Sequence, residues 1–332
     1  MMKKAGGSQV KRAKRTMAII GGVLAVGTAC ACAVGAVIKL LLDEALDREE
    51  PALFRKDRDS ITGGFNETDI YKAGQAPAKA LREKVTCRVE ITNRDGVKLV
   101  GHWYPCENAK RVVLAMHGWR SAWYRDFGAS SDFWHDNGCS ILYAEQRGQG
   151  ESGGETMGFG ITERYDCLDW LAWLEAHTEK ELPIYLAGIS MGATTVLMAA
   201  GLELPDRVHG IMADCGFTSP QDIWRHVAKK NLHIPYYLLR RPIDRMCRRK
   251  IGCGPGDDST VTALQENTKP VLLIHGTDDS FVPMEMTLQN YRACKAPCRL
   301  LIVPGAEHGM SYLVDQDRYE AAVKEFWQEF DE

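Results

Sequence analysis

The sequence lacks the features that mark several common classes of protein. None of its eleven cysteines forms a C-x-x-C pair, and no cysteine couple stands at zinc-finger distance from a histidine pair, so a metal site is not expected. Its net charge is −3, which argues against a nucleic-acid partner. It has no internal repeat and no low-complexity tract, which excludes repeat architectures. The remaining possibility is a globular chain of ordinary composition.

Charged residues are absent from one long stretch near the amino terminus, TMAIIGGVLAVGTACACAVGAVI, from Thr16 to Ile38. A helix of this length spans about 34 Å, enough to cross a hydrocarbon core of roughly 30 Å. Four basic residues stand within the five positions directly before it, which favours a cytoplasmic amino terminus and an exported remainder. We therefore predict a transmembrane signal anchor over residues 16–42 of a single-pass protein of the cell membrane. The basic residues are Lys11, Arg12, Lys14 and Arg15.

Two alternatives to an uncleaved anchor stay open at this point. A signal peptide could be cleaved at the small residues around Ala29 to Ala31, although the apolar run is longer than a usual signal peptide has. A lipoprotein site at Cys30 or Cys32 is the other alternative. If the domain is exported, the cysteine pairs 294/298 and 247/253 could close small loops, but scattered buried thiols explain the pattern equally well.

Short apolar runs alternate with helical stretches along the rest of the chain. The runs have the composition of buried strands, and turn signals such as Asp95-Gly96 separate the first two. Alternation with short connections predicts a mostly parallel eight-stranded sheet with helices on both faces. The strand runs are 85–92, 97–106, 111–118, 139–145, 183–188, 208–214, 270–276 and 298–305, and the helical stretches are about 123–137, 162–178, 191–203, 284–294 and 314–330.

One interval departs from this alternation. About 55 residues separate the strand that ends near Asp214 from the strand that begins at Pro270, and long excursions at the carboxyl ends of strands usually lie over the ligand crevice. The interval is partly helical and contains a cationic run from Arg240 to Lys250. We predict a small helical cap at about 217–268.

The stretch Gly188-Ile189-Ser190-Met191-Gly192 places a serine between two glycines, after a predicted strand and before a predicted helix. A serine that presents its hydroxyl from such a turn needs strained backbone angles, so the positions two before and two after it must lack bulk. The helix start also supplies N–H groups to a developing oxyanion. This context predicts that Ser190 is a nucleophile.

A serine hydroxyl attacks only if a base takes its proton and an acid orients that base. The stretch HGTDDSFVP follows one predicted strand and offers Asp278 and Asp279, while PGAEHGMSY follows the next and offers His308. Asp214, at the end of another strand, is an alternative acid. The order Ser, Asp, His is that of the α/β-hydrolases.

Six stretches in the same order resemble the α/β-hydrolase superfamily, within its serine-aminopeptidase-like and Bem46-like group of esterases and lysophospholipase-related proteins. The resemblance covers about residues 85–330. It implies Asp279 as the acid, with Asp278 as the runner-up, and His308 as the base. It also implies an oxyanion hole formed by the backbone N–H groups of Trp119 and Met191. The stretches are MHGW (116–119), EQRGQGESGG (145–154), GISMG (188–192), ADCGFTS (213–219), HGTDDSFVP (275–283) and GAEHG (305–309).

These observations predict an α/β-hydrolase fold with a helical cap and an amino-terminal transmembrane helix. The expected function is a membrane-anchored serine hydrolase that cleaves small-molecule or lipid-like carboxylic esters, without a metal or another cofactor. An amide or thioester hydrolase on the same triad is the alternative, and a non-catalytic binding domain is a third. The sequence leaves the oligomeric state open. The domain boundaries would be 1–15 for a basic tail, 16–42 for the anchor, 43–80 for a juxtamembrane connector and 81–332 for the hydrolase domain.

Overall fold

The computed structural model describes residues 32–52, 72–84 and 87–331 of the chain. A single sheet of eight strands has the order β1-β2-β4-β3-β5-β6-β7-β8. The pairs β1–β2 and β2–β4 are antiparallel and all the others are parallel. The predicted mostly parallel eight-stranded sheet is therefore confirmed. The strands are β1 (Cys87–Thr92), β2 (Lys98–Tyr104), β3 (Arg111–Met116), β4 (Cys139–Ala144), β5 (Ile184–Ile189), β6 (Val208–Asp214), β7 (Val271–Gly276) and β8 (Cys298–Val303).

Helices cover both faces of this sheet, because its central strands are apolar at successive positions. In β3, Val112 and Leu114 join the core on one face, whereas Val113 and Ala115 join the core on the other. Burying each such side chain contributes about 1.5–3 kcal/mol. The helices are α1 (32–46), α2 (Gln75–Glu83), α3 (Trp123–Asp136), α4 (Glu163–His177), α5 (Met191–Ala199), α6 (Pro220–Lys230), α7 (Tyr236–Ile251), α8 (Thr260–Glu266), α9 (Met284–Ala293), α10 (Ser311–Val314) and α11 (Gln316–Phe330).

The predicted cap interval, 217–268, contains three helices with different positions in the fold. Helix α6 begins at Ser219, whose hydroxyl accepts a hydrogen bond from the N–H of Asp222. Both α6 and α7 contribute apolar residues to a core that is separate from the two cores of the sheet. Helix α8 instead contributes Leu264 to a sheet core. The cap is thus built from α6 and α7, and α8 is a part of the body.

A further helix, α1, completes the cap from outside the predicted interval. Ile38, Leu42 and Leu46 recur every four residues, so they lie on one face of α1, and all three are buried in the apolar core of the cap. The predicted anchor falls only in part on described residues: 16–31 lie outside them, and 32–42 form the first part of α1. Within residues 32–52, 72–84 and 87–331, no helix is both long and apolar enough to cross a membrane.

Polar contacts hold α1 against the rest of the protein. The ammonium group of Lys250, at the carboxyl end of α7, lies 2.7 Å from Asp43 and 2.6 Å from Asp47. The guanidinium of Arg48 donates to the carbonyls of Ser152 and Gly150 in the loop after β4. Residues 43–48, which the sequence assigns to a connector, therefore dock on both the cap and the sheet domain.

Cysteines contribute no cross-link to the part of the chain that the structure describes. All ten cysteines in these ranges are free thiols, including the pairs 294/298 and 247/253. Several are buried, among them Cys139, Cys167 and Cys215. Burial raises the pKa of each of these three thiols and so keeps them protonated.

Candidate active site

Ser190 lies in the tight turn between β5 and α5, with φ of 56° and ψ of −117°. Two glycines make this turn possible. A Cβ at Gly188 would lie 2.3 Å from the carbonyl of Gly192, and a Cβ at Gly192 would lie 1.8 Å from the carbonyl oxygen of Met116. A side chain at Gly188 would push the start of α5 away from β5, and a side chain at Gly192 would push the turn away from the neighbouring strand β3.

A chain of hydrogen-bonded groups connects Ser190 to an acid. The hydroxyl oxygen of Ser190 lies 2.8 Å from Nε2 of His308, and Nδ1 of His308 lies 2.7 Å from Oδ2 of Asp279. The other carboxylate oxygen of Asp279 accepts hydrogen bonds from the N–H groups of Phe281 and Val282. The structure thus brings together the three side chains that the sequence analysis selected, and backbone donors fix the orientation of the acid.

The two alternative acids occupy other positions. Asp278 is exposed, and its carboxylate accepts a hydrogen bond from the Thr277 hydroxyl. Asp214 is buried near the site, but its carboxylate accepts from the Ser311 hydroxyl and its carbonyl accepts from the N–H of Ser190. Neither carboxylate is the hydrogen-bond partner of His308.

A second histidine contacts the same acid. Nε2 of the fully buried His275 lies 3.2 Å from Oδ2 of Asp279, and its Nδ1 lies 2.7 Å from the Thr287 hydroxyl. The sequence suggests only a scaffold role for a histidine that ends a strand before a glycine. The contact with Asp279 was not predicted, because it depends on how the loop after β7 folds back.

The electrostatics of the site favour an ionised acid beside a basic imidazole. Burial by itself would raise the pKa of Asp279, but the imidazoles of His308 and His275 outweigh it and hold this pKa well below its ordinary value. Burial would lower the pKa of His308, but the Asp279 carboxylate outweighs it and the net pKa is raised. Asp214 lacks a comparable partner, so burial raises its pKa to about 6.

The thiol of Cys215 lies beside these groups. One ligand atom each of Cys215, Asp279 and His308 lie within 4.8 Å of one another. Both imidazole nitrogens of His308 already have partners, Asp279 and Ser190, so the histidine offers no nitrogen to a metal without breaking that chain.

The loop after β3 reaches Ser190 from the neighbouring strand. A Cβ at Gly118 would lie 3.3 Å from the Cβ of Ser190, and the N–H of Gly118 donates to the Asp126 carboxylate at 2.6 Å. Met191 is the first residue of α5, at the positive end of the helix. Within the described ranges, neither the backbone N–H of Trp119 nor that of Met191 donates a hydrogen bond to another group of the protein.

The carboxyl end of α1 binds this loop through two side chains. The indole N–H of Trp119 donates to the carbonyl of Ala45 at 2.9 Å. The guanidinium of Arg120 donates to the carbonyls of Glu44 at 2.6 Å and Asp47 at 2.9 Å. Terminal helix carbonyls lack partners within the helix and carry partial negative charge, so a guanidinium is well suited to bind them. Arg120 itself has φ of 48°, so its backbone is strained.

Two cavities meet at Ser190. One has a volume of about 100 Å³ and a mostly apolar wall, and it lies between α1, the cap and the sheet domain. The other, of about 170 Å³, is more polar and has His308 and Asp214 in its wall. Trp119, Ser190 and Phe281 line both. A ligand that reacts at Ser190 thus has an apolar space on one side and a polar space on the other.

The family of this chain follows from its sequence. The profile of the prolyl oligopeptidase family matches residues 125–331, which is more than half of the chain. The chain belongs to this family. Family and fold together confirm the predicted membership of the α/β-hydrolase superfamily.

The three individual proteins compared below share 30% or less sequence identity with this chain. The uncharacterized protein YqkD of Bacillus subtilis is 30% identical over 191 residues, which cover 58% of this chain and 63% of YqkD, less than two thirds of its length. The esterase Pf2001 of Pyrococcus furiosus has a similar fold, with a TM-score of 0.62 and 22% identity over 76% of this chain and 94% of that chain. The acylaminoacyl peptidase of Pyrococcus horikoshii has a TM-score of 0.55 and 18% identity over 75% of this chain and 43% of that one.

The contact between His308 and Asp279 predicts how the imidazole of this family member titrates. In the wild type, the pKa of His308 should lie above the ordinary value of about 6.5. Asp279→Asn should lower this pKa, because only the more distant charges of Asp214 and Asp126 then oppose the effect of burial. The adjacent change Asp278→Asn should leave it unchanged. The measurement is a proton NMR titration, in which the signal missing from His308→Gln identifies His308.

The raised pKa of His308 also determines how the stability of the fold depends on pH. The pair of charged His308 and Asp279 stabilises the fold fully at pH values below about 6.5, and this contribution disappears as the pH rises through the raised pKa. Equal titration midpoints for the wild type and Asp279→Asn would contradict the assignment of Asp279 as the partner.

Proposed function

We propose that the protein is a serine hydrolase that cleaves carboxylic esters through an acyl-enzyme. The observation that carries the proposal is the continuous chain from Ser190 through His308 to Asp279, with distances of 2.8 Å and 2.7 Å, where an apolar and a polar cavity meet. The acyl group and the alcohol of an ester extend from the reacting carbon in different directions, so two separate cavities can hold them. The similar fold of an esterase, Pf2001, supports the proposal.

The side chains of Ser190, His308 and Asp279 act in both halves of the proposed reaction, acylation and deacylation. Ser190 attacks the acyl carbon while His308 takes its proton, and Asp279 stabilises the resulting imidazolium. The tetrahedral intermediate collapses, the bond from the acyl carbon to the alcohol oxygen breaks, and His308 gives the proton to the leaving alkoxide. Water then attacks the acyl carbon while His308 takes one of its protons. The second tetrahedral intermediate collapses, the bond from the acyl carbon to the Ser190 oxygen breaks, and His308 returns the proton to Ser190 as the carboxylic acid leaves.

The N–H groups of Trp119 and Met191 are the proposed donors to the oxyanion. Two observations support this role: both groups lie beside Ser190 on neighbouring elements, and neither has another acceptor among the described residues. Fixed donors in a site shielded from water stabilise developing charge without reorganisation, and each contributes about 3–4 kcal/mol to the transition state.

Amide hydrolysis is the second candidate. The observation that favours it is the family match, since that family is named for prolyl oligopeptidase. The same triad would act on an amide, but the leaving amine must be protonated before the bond to carbon breaks. The two candidates therefore differ in substrate and not in the residues they use.

The proposal includes an anchor in the cell membrane over residues 16–42, with the amino terminus in the cytoplasm and the hydrolase domain outside. The uncharged sequence of 16–31 and the basic residues before it support this. Since Ile38 and Leu42 are buried in the protein, the membrane-crossing part would end before Ile38, and residues 16–37 would span about 33 Å as a helix.

After alkaline carbonate extraction the full chain should remain with the membrane pellet. Release into the supernatant would contradict the anchor.

Removal of the proposed nucleophile provides the first test of the catalytic part. The full chain in detergent should hydrolyse p-nitrophenyl esters and react with a fluorophosphonate probe. Ser190→Ala should lose the label and about 10⁴-fold or more of kcat, with its melting temperature retained. Ser259→Ala, which removes only the N-cap of α8, should keep both the label and the turnover.

Three other outcomes of this experiment would change the proposed activity, nucleophile or substrate. A folded wild type that neither reacts nor turns over would support the non-catalytic alternative. A label that survives in Ser190→Ala would identify another nucleophile. Faster turnover of an anilide than of the ester with the same acyl group would favour the peptidase candidate.

Arg120→Ala tests whether the bond between α1 and the loop after β3 positions the oxyanion donor. Loss of the guanidinium should displace Trp119 and lower kcat by about tenfold or more, less than the 10²–10³-fold lost with a whole donor. KM should change little, and Arg120→Lys should restore a part of kcat. Arg292→Ala, at an exposed position of α9, is the matched control. An unchanged kcat in Arg120→Ala would show that the loop holds its position without α1.

A further inference from the structure

One wall of the apolar cavity is α1, a helix that lies outside the predicted hydrolase domain. Ile38, Leu41, Leu42 and Ala45 of α1 line the cavity opposite residues of α6 and α7. Ser190 lies at its margin. The cavity therefore extends from the reacting hydroxyl into the space between α1 and the cap.

The lining determines the kind of group that can enter. Apart from Ser190, the polar groups in the wall are the carboxylate of Glu44, the hydroxyl of Tyr236 and the indole N–H groups of Trp119 and Trp224, and all the other lining side chains are apolar. The carboxylate of Glu44 lies 3.5 Å from the guanidinium of Arg120, so its charge is compensated within the wall. A polar or charged group would lose its hydration here, whereas each methylene group that leaves water gains about 0.8 kcal/mol.

The position of His308 decides which part of an ester lies in which cavity. His308 has to protonate the leaving alkoxide, so the alcohol must lie on its side of Ser190. His308 lines the polar cavity and is absent from the wall of the apolar one. The acyl group is then directed to the apolar cavity, toward α1.

We propose that the cavity between α1 and the cap binds the acyl chain of the substrate, that the substrates are esters of medium-chain fatty acids, and that α1 determines the chain length accepted. This inference rests on the proposed ester hydrolysis, because it assigns one part of that substrate to one part of the same site. Helix α1, whose first part overlaps the predicted anchor, is thereby a wall of the substrate site.

The test places a bulky side chain on either face of α1 in the full-length protein. Leu42 is 4% exposed and lines the cavity, whereas Val37 is 49% exposed and does not. In the wild type, kcat/KM should rise from p-nitrophenyl acetate to p-nitrophenyl octanoate. Leu42→Trp should lower the value for octanoate by about tenfold or more, since several methylene groups lose their place, and should leave the value for acetate within about twofold. Val37→Trp should retain the wild-type profile.

Direct binding separates this inference from the proposed function. Ser190→Ala should bind octanoate in isothermal titration calorimetry and should not bind acetate, and adding Leu42→Trp should abolish octanoate binding. If Leu42→Trp alone loses turnover of both esters through misfolding, the smaller change Leu42→Phe at the same position replaces it in both measurements.

Failure of the inference and failure of the proposed function have different signatures. A wild type without fluorophosphonate labelling or ester turnover overturns the proposed function. A labelled and active wild type that prefers acetate, or prefers a benzoyl ester to octanoate, overturns the acyl-chain site. Equal octanoate profiles for the wild type and Leu42→Trp overturn the role of α1.

Discussion

The turn that carries Ser190 has no room for a side chain at Gly188 or Gly192, and the rest of the site depends on this close fit. The turn packs against the end of β3, so the loop that follows β3 lies beside the serine. On the other side of β5, the parallel strands β6, β7 and β8 end at the same edge of the sheet. Asp279 and His308 follow two of them, and rigid strands therefore set the distances within the site.

Much of this arrangement could be predicted because it depends on local pattern and chain order. Runs of buried strand residues predict the parallel sheet, and the glycines around Ser190 predict the turn. The choice of Asp279 over Asp278 as the acid rests on the resemblance to the α/β-hydrolases and not on composition, because both residues follow the same strand. In the structure, two backbone N–H groups bind Asp279, and Asp278 is exposed to solvent.

The contribution of α1 could not be predicted, because it depends on contacts between distant segments. Asp43 and Asp47 look like solvated connector residues until Lys250 is placed beside them. Arg120 directly follows the stretch MHGW (116–119), but no pattern indicates that its partners are the carbonyls at the end of α1. The apolar spacing of Ile38 and Leu42 is also what a membrane helix would show, so the sequence alone does not distinguish a bilayer from a cap.

The docking of α1 also has a consequence for the order in which the protein folds. Ribosomes make α1 before every element that it contacts: Trp119 lies 74 residues after Ala45, and Lys250 lies 207 residues after Asp43. Contacts so distant along the chain form slowly and only after the intervening segments have been made. The apolar face of α1 therefore lacks its partners in the fold until α7 has been made, and the cavity between α1 and the cap cannot close before then.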